Sequence, residues 1–570
     1  MTQHDDPAAR AGGISRRGFV GTGLAGGALA LARSKVPWLD RGPAPPPNGK
    51  PAGERYVAAP FELEDTTIAE LQAGMTSGKY TAHQIAELYL GRIDELDHRG
   101  PSLNEVIELN PDALAIADSL DAERKSKGPR GPMHGIPVLI KDNIATDDKM
   151  MTTAGSLALV GAKVPRDSGI AARLRAAGAI ILGKTNLSEW ANFRADHSTS
   201  GWSGRGGQSH NPYALDRTPS GSSSGSGGAS AASYAAAAIG TETDGSIVSP
   251  SAANSLVGIK PTIGLLSRAG IVPISHSQDT PGPMCRCVAD AAALLGVLTG
   301  VDPLDKATAA SAGKSHTDYT KFLDPDGLKG ARIGVLRGHF MGYSRVTDAL
   351  IEDALHAMRD RGAVLVDPVE FPTAGKFGDA EGEVLSYEFK ADLNAYLAGL
   401  TSSPVRSLAD VIAFNEAHAA DELAYFAQET MLEAQKRGPL TSPAYTKALA
   451  KCHRLARVQG IDAVLAKHRL DALVAPTQGP PWHIDLVNGD SGGGGGSSEL
   501  AAVAGYGSIT VPAGYAFGLP VGMSFIGGAW SEPTLIKLAY GYEQATKLRR
   551  PPKFAPTADV PMDGHPRHTT

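Results

Sequence analysis

Short runs of consecutive apolar residues mark the strands that this sequence predicts. From about residue 135 the pattern predicts a strand over Pro137–Ile140, a helix near Ile170–Ala177 and a second strand over Ala179–Leu182. A strand that is apolar on both sides needs cover on both faces, as in a sheet between two layers of helices. We therefore expect an α/β fold with a mixed β-sheet core that is covered by helices on both faces.

The same alternation continues towards the C-terminus. Further predicted elements are a strand over Ala331–Leu336, a helix over Thr347–Asp360, a strand over Ala363–Asp367, a mostly helical region over 380–460, and strands over Ala472–Ala475 and Ile509–Val511. Nearer the N-terminus, capping boxes at Thr67–Glu70 and Thr81–Gln84 predict two helix starts, the second helix covering 82–97. Neither a repeat nor a clean linker interrupts residues 60–550, apart from a glycine-rich surface loop over 491–498. We expect a single domain over 60–550 and a polar tail over 551–570.

Charge and cysteine content exclude several classes of protein. The chain has 54 Lys and Arg residues against 60 Asp and Glu residues, a net charge of −6. The basic residues form no block, so nucleic acid is not an expected partner. The three cysteines form no CxxC pair and lack a histidine at metal-ligand spacing. We expect neither a disulfide scaffold nor a bound metal.

The first 32 residues resemble a twin-arginine export signal. Arg16 and Arg17 precede a weakly apolar run that ends in alternating small residues over 28–32. The run is shorter than the roughly 20 residues of a membrane-spanning helix, so removal is expected rather than stable membrane insertion. We expect residues 33–59 to be an extended proline-rich spacer and the protein to be exported to the periplasm. The alternative is a disordered basic tail that is never processed.

Two short motifs point to chemistry that their surroundings do not support. Gly178–Thr185 matches the phosphate-binding pattern G-x-x-x-x-G-K-[ST], but the residues between its glycines are themselves a predicted strand rather than a loop. Gly221–Gly225 matches G-x-S-x-G, which would make Ser223 the nucleophile of a Ser-His-Asp hydrolase. The residues before it are polar and broken by Pro219, so no strand leads into such a turn. A flexible linker is also disfavoured, because an alanine-rich helix over Ala229–Ile239 is predicted to follow.

A polar glycine turn over Gly240–Ser246 follows that predicted helix. Glycine permits positive φ, so several backbone N–H groups in such a turn can converge on one point, as an oxyanion hole requires. Taken alone, the segment is equally compatible with a purely structural turn.

Four motifs taken together resemble the amidase signature family. They are Gly131–Asn143, which contains Lys141, then Gly221–Ser226, Gly240–Ser246 and Gly258–Thr262. The likeness continues through Gln278–Met284, Ala475–Thr477 and Gly518–Gly522 and covers roughly residues 60–545.

The resemblance implies amide hydrolysis by a Ser-Ser-Lys triad without metal or cofactor. Ser246 would be the nucleophile, Ser222 the bridging serine next to a cis peptide bond, and Lys141 the base. The oxyanion hole would consist of the backbone amides of Thr243, Asp244, Gly245 and Ser246. A lysine can act as a base only as the neutral amine, which requires burial. The structural alternative for Lys141 is a salt bridge with Asp142 or another acid.

Two residues depart from the common family pattern. They leave the implied triad unchanged but bear on which substrate is expected. Val248 stands where many members have arginine, and Glu242 stands where aspartate is common. The run Gly240–Val248 is similar instead to that of bacterial peptide amidases, which implies a peptide amide or another small amide as substrate. Other possibilities are one subunit of an amidotransferase or a non-catalytic periplasmic binding protein. His134, His210 and His276 are interpreted as structural or pocket residues rather than bases.

Overall fold

The computed structural model, which describes residues 56–492 and 494–560, contains one large mixed sheet. The strands in chain order are β1 (Val106–Leu109), β2 (Pro137–Lys141), β3 (Ile180–Thr185), β4 (Trp202–Ser203), β5 (Gly207–Gln208), β6 (Ala237–Glu242), β7 (Val257–Lys260), β8 (Thr280–Cys285), β9 (Arg332–Leu336), β10 (Val364–Val369), β11 (Ala472–Pro476), β12 (Ser508–Ala516) and β13 (Leu519–Ile526). Residues 1–55, with the expected signal and most of the spacer, and residues 561–570 of the expected tail lie outside the described residues.

The eleven strands of the large sheet follow the order β1-β3-β2-β6-β8-β7-β12-β13-β11-β9-β10, and β4 pairs with β5 separately. Strand β2 is parallel to both β3 and β6, and β9 is parallel to both β10 and β11. The other neighbours in the large sheet are antiparallel. The carboxyl ends of β2 and β6 therefore lie side by side.

Helices of very different length surround this sheet. In chain order they are α1 (Ile68–Ser77), α2 (Ala82–Ile93), α3 (Ala113–Lys127), α4 (Gly169–Ala176), α5 (Ser224–Ala231), α6 (Val248–Ala253), α7 (Val288–Leu298), α8 (Arg345–Asp360), α9 (Gly378–Ala398), α10 (Leu408–Ala417), α11 (Ala419–Glu422), α12 (Glu429–Gln435), α13 (Pro443–Cys452), α14 (Asp462–His468), α15 (Ser498–Ala504) and α16 (Glu532–Thr546). Both predicted capping boxes are present, with Thr67 and Thr81 as the capping residues. The second helix gives way after Ile93 to wider π-type turns over Asp94–Arg99.

The central strands are covered on both faces. Every residue of β2, β3 and β6 is buried, and successive residues of a strand point to opposite faces of its sheet. The predicted α/β fold with a helix-covered mixed sheet is thus confirmed. Among residues 56–492 and 494–560, no helix is both long enough and apolar enough to span a bilayer.

The alanine-rich helix predicted over Ala229–Ile239 is wrong in its extent. Helix α5 begins earlier, at Ser224, and ends at Ala231, and the last alanines belong to strand β6. Alanine favours a helix in isolation, but here β6 pairs with β2 on one side and β8 on the other. Tertiary pairing therefore outweighs the local preference. Consequently Gly240, Thr241 and Glu242 end a strand, and the polar turn is shorter than the sequence suggested.

Candidate active site

The site lies where the neighbouring parallel strands β2 and β6 end. Lys141 is the last residue of β2, and its neighbour Ile140 pairs with Ile239 of β6. Its fully buried Nζ donates to Thr241 Oγ1 at 3.0 Å and to the Thr241 carbonyl at 3.3 Å. The third contact of Nζ is Ser222 Oγ, at 2.7 Å. The structure therefore brings together Lys141 and Ser222, which are far apart in sequence.

Ser222 lies in the tight segment that leads into α5. The peptide bond between Gly221 and Ser222 is cis, as the resemblance implies. The next residue, Ser223, accepts from the Thr241 N–H at 3.1 Å and donates to the Thr241 carbonyl at 3.0 Å. Because the backbone of β6 engages this hydroxyl, Ser223 is not placed as the exposed nucleophile of a Ser-His-Asp hydrolase.

The turn over 243–246, which we call the oxyanion turn, lies against this segment. The Ser246 carbonyl accepts from the Ser223 N–H at 3.3 Å, so the backbone of Ser246 contacts the residue next to Ser222. Gly245 has φ of +77°, a conformation that favours glycine. The N–H groups of the four turn residues donate no hydrogen bond within residues 56–492 and 494–560. The described part of the chain thus provides no acceptor for these four amides, and of the four residues Thr243 lines the neighbouring cavity.

Glu242 and Asp279 hold the two ends of the oxyanion turn. Glu242 Oε2 accepts from the N–H groups of Ile247 and Val248, at 2.8 and 3.0 Å. Thr243 donates its hydroxyl hydrogen to Asp279 Oδ1 at 2.6 Å. The N–H groups of Ile247 and Val248, just after the turn, therefore already have an acceptor within the protein.

The environment of Lys141 favours its neutral form. Burial lowers the pKa of Lys141 to about 7, and the negative charges of Asp279 and Glu242 oppose part of that shift. No carboxylate forms an ion pair with Lys141 in the described part of the chain. Its neighbour Asp142 instead accepts hydrogen bonds from Thr153 and Gly155. The salt-bridge alternative with Asp142 is therefore wrong.

A cavity of about 340 Å³ opens beside these residues. Thr241, Thr243 and Asn143 form its wall on the side of Lys141, and Asn143 also donates to Thr241 Oγ1 at 2.9 Å. Its apolar wall is the segment over 271–274, while Asp279 and His276 add polar groups. Through Thr241 and Thr243 the cavity adjoins both the end of β6 and the oxyanion turn.

The sequence did not single out Thr241, Asn143 or Asp279. Two signals could have found them. Asn143 follows Lys141 within one of the four matching motifs, and Asp279 lies in the matching run Gln278–Met284. Nothing in the sequence shows that Thr241 contacts the lysine, because that contact depends on the register between β2 and β6.

The remaining candidates from the sequence have partners other than Lys141, Ser222 and Ser246. His134 contacts the Leu120 carbonyl at 3.0 Å and His210 contacts the Leu215 carbonyl at 2.8 Å, so both have structural partners. The three cysteines are all free thiols. Lys184, in the phosphate-binding pattern, lies on the fully buried strand β3 and donates to the Ile144 carbonyl at 2.8 Å.

One side-chain group has the composition of a metal site. His276 lies between two carboxylates, with Nδ1 at 2.8 Å from Asp392 and Nε2 at 3.3 Å from Glu388. The carboxylate of Glu388 already accepts hydroxyl hydrogens from Ser277 and Tyr445, both at 2.6 Å. The hydrogen bond to Asp392, ahead of the other neighbours, raises the pKa of His276. The three side chains are thus already joined to one another, and to Ser277 and Tyr445, by hydrogen bonds and ion pairs.

Comparisons with known proteins identify the family of this chain. The family model described as Amidase matches residues 84–536. The structure of native peptide amidase from Stenotrophomonas maltophilia is 54% identical, with a TM-score of 0.84, and the match covers 87% of this chain and 100% of that chain. A protein described as a probable amidase from Arabidopsis thaliana is 44% identical over 512 residues, which is 88% of this chain and 94% of that protein. A glutamyl-tRNA(Gln) amidotransferase subunit from Myxococcus xanthus is more distant, at 33% identity over 504 residues, 85% of this chain and 98% of that one. The chain belongs to the amidase family and is an amide-hydrolysing enzyme.

Proposed function

We propose that the chain cleaves amide C–N bonds through an acyl-enzyme on Ser246, with Lys141 and Ser222 transferring the proton. The observation that carries the proposal is the 2.7 Å contact between Lys141 Nζ and Ser222 Oγ in a buried site. A lysine in such a place without an acidic partner is stable as the neutral amine, because burial penalises its charged form.

The hydrogen bonds around Lys141 suit a neutral amine. Such an amine has two hydrogens and one lone pair. Its three oxygen neighbours are the Thr241 carbonyl, the Thr241 hydroxyl and Ser222 Oγ. If the two hydrogens go to Thr241, the lone pair faces the Ser222 hydroxyl, which can donate and accept at the same time.

The reaction then follows in two balanced halves. Ser246 Oγ attacks the substrate carbonyl as its proton passes to Ser222, whose own proton passes to Lys141. The carbonyl oxygen becomes an oxyanion that the amides of the oxyanion turn stabilise. The same route in reverse protonates the leaving nitrogen, and the C–N bond breaks to release ammonia or an amine. Water then attacks the acyl-enzyme by the same proton path and frees the acid.

We propose a peptide amide as the substrate. The support is the 54% identity to a peptide amidase together with the mixed apolar and polar cavity beside Thr243. The test is ammonia release from a peptide amide, with an anilide and a short aliphatic amide in parallel. We expect kcat/KM for the peptide amide to exceed that for the aliphatic amide at least tenfold. A preference for the aliphatic amide would contradict the substrate proposal and leave amide hydrolysis intact.

Two variants test the mechanism on the same substrate. We expect Ser246→Ala and Lys141→Ala to abolish turnover while the protein stays folded, because one loses the nucleophile and the other the base. Wild-type activity in either variant would remove the mechanism. A melting curve for each variant checks the fold.

We also propose that the protein is exported through the twin-arginine pathway and acts in the periplasm. The support is the pair Arg16 and Arg17 ahead of a short apolar run. Replacing both by lysine should retain the protein in the cytoplasm, as measured by cell fractionation. Equal periplasmic recovery of the variant would contradict this route.

A further inference from the structure

We infer that Asp279 is a positioning residue that connects the cavity wall to the oxyanion turn and keeps a negative charge near Lys141. The inference rests on the proposed function, because it assigns a role within the same site.

The two oxygens of Asp279 connect different parts of the site. Oδ1 accepts from the Thr243 hydroxyl at 2.6 Å, so it holds the first residue of the oxyanion turn. Oδ2 accepts from the N–H groups of Ile274 and Ser275, at 2.8 and 2.9 Å, and Ile274 borders the cavity. Gln278 adds a second link, because its Nε2 donates to the Thr243 carbonyl at 3.3 Å. A shift of the cavity wall would therefore displace the turn.

Residues 274–279, which we call the segment, contact helix α9 as well as the oxyanion turn. Three acidic residues of α9 accept from the segment. Glu381 accepts from Gln278 at 2.7 Å, Glu388 accepts from the Ser277 N–H at 2.9 Å, and Asp392 accepts from the His276 N–H at 2.9 Å. In a helix with 3.6 residues per turn, these three positions share one face. The segment thus has fixed contacts on both sides, and Gln278 and Asp279 connect it to the oxyanion turn.

The second part of the inference concerns charge. Asp279 and Glu242 are the carboxylates that oppose the loss of a proton from Lys141. Burial, partly offset by these hydrogen bonds, raises the pKa of Asp279 to about 6, so it carries a negative charge at neutral pH. The charged and titratable groups around Asp279, the segment and Lys141 are Arg268 with its partner Asp305, His276, Tyr445, Asp142, Glu242, Asp244, Glu381, Glu388 and Asp392. Removing only the charge of Asp279 should make Lys141 easier to deprotonate.

Asp279→Asn is the test variant. Its amide oxygen can still accept from the two backbone N–H groups, and its NH₂ group can donate to the Thr243 hydroxyl, so the fold is retained. The measurement is the rate of covalent labelling by a fluorophosphonate probe from pH 5 to pH 9, which needs no assumption about the amide substrate. We expect the acidic limb to move to lower pH by at least about 0.5 unit, because a nearby opposite charge typically shifts a pKa by about 1–3 units. Melting curves control for stability.

Thr243→Val is the matched control. It removes the hydroxyl that contacts Asp279 but keeps the carboxylate and the side-chain shape. We expect a lower maximal labelling rate and a smaller shift of the acidic limb than in Asp279→Asn.

A purely structural role of Asp279 would lower the rates without moving the limb and would contradict the inference. If the wild type is labelled and Asp279→Asn has the wild-type profile, the inference is wrong and the proposed function stands. If the wild type itself is not labelled, the proposed function fails and the inference fails with it.

Discussion

The proposed mechanism, together with the burial of Lys141, predicts how hydrolysis depends on pH. With a pKa of about 7 in the structure, against the ordinary 10.5, about half of the molecules carry the neutral amine at pH 7. With the ordinary pKa, only about one molecule in 3,000 would do so, because the two values differ by more than three units. The buried site thus raises the concentration of active base about a thousandfold at neutral pH.

The assay is ammonia release from a peptide amide, with kcat/KM measured from pH 5 to pH 10. The group must lose its proton to act, so activity is absent at low pH and gained as the pH rises through the pKa of the folded enzyme. We expect log kcat/KM to rise with unit slope below about pH 6 and to reach a plateau above about pH 8. A rise that continues to pH 10, or a profile that is flat from pH 5 to pH 9, would refute the assignment of Lys141 as a neutral base.

Lys141→Arg is the control for this profile. A guanidinium cannot be deprotonated in a protein, so the variant keeps a cation but has no base. We expect a loss of about 10²- to 10⁴-fold at every pH, with no recovery at pH 9. If alkaline pH restored its activity, another residue would be the base.

Two further predictions concern the surroundings of the proposed triad, and a third concerns Lys184. Glu242→Ala removes the acceptor of the Ile247 and Val248 N–H groups at the start of α6. Because a buried unpaired N–H group costs about 1–3 kcal/mol, we expect lower stability in urea and at least a tenfold loss of kcat. Gly245→Ala forces a side chain into φ of +77°, which should lower the free energy of unfolding by about 1–2 kcal/mol and reduce kcat. The control is Gly91→Ala, at a helical position with open space around it. It should raise the free energy of unfolding by up to about 1 kcal/mol and leave kcat unchanged. Equal effects of the two alanines would contradict the role of the turn. Mg-ATP should not raise the melting temperature, because Lys184 lies on a fully buried strand, and a rise of several degrees would revive the nucleotide-binding interpretation.

Much of this architecture could be predicted from local sequence patterns. The apolar runs of β2 and β3 and the capping boxes at Thr67 and Thr81 are local signals, and the structure confirms them. The extent of the alanine-rich helix could not be predicted, because alanine is compatible with a buried strand once neighbouring strands supply hydrogen bonds. Local propensity contains no information about which strands become neighbours.

The candidate site, too, could be predicted from the sequence only in part. The four motifs identified Lys141, Ser222 and the oxyanion turn through a resemblance, and the chemistry of a buried lysine gave a reason for its role. The contacts of Thr241 and Asp279 with this site depend on strand register and on the path of the segment over 274–279. Such contacts are long-range, so single-residue patterns do not predict them.

Covalent labelling tests the central claim most directly. The wild type and Ser246→Ala are incubated with a fluorophosphonate probe, and intact mass and peptide mapping then locate the adduct. We expect one adduct in the wild type, on Ser246, and none in Ser246→Ala. An adduct on Ser223, equal labelling of Ser246→Ala, or no adduct on a wild type that hydrolyses amides would contradict an acyl-enzyme on Ser246.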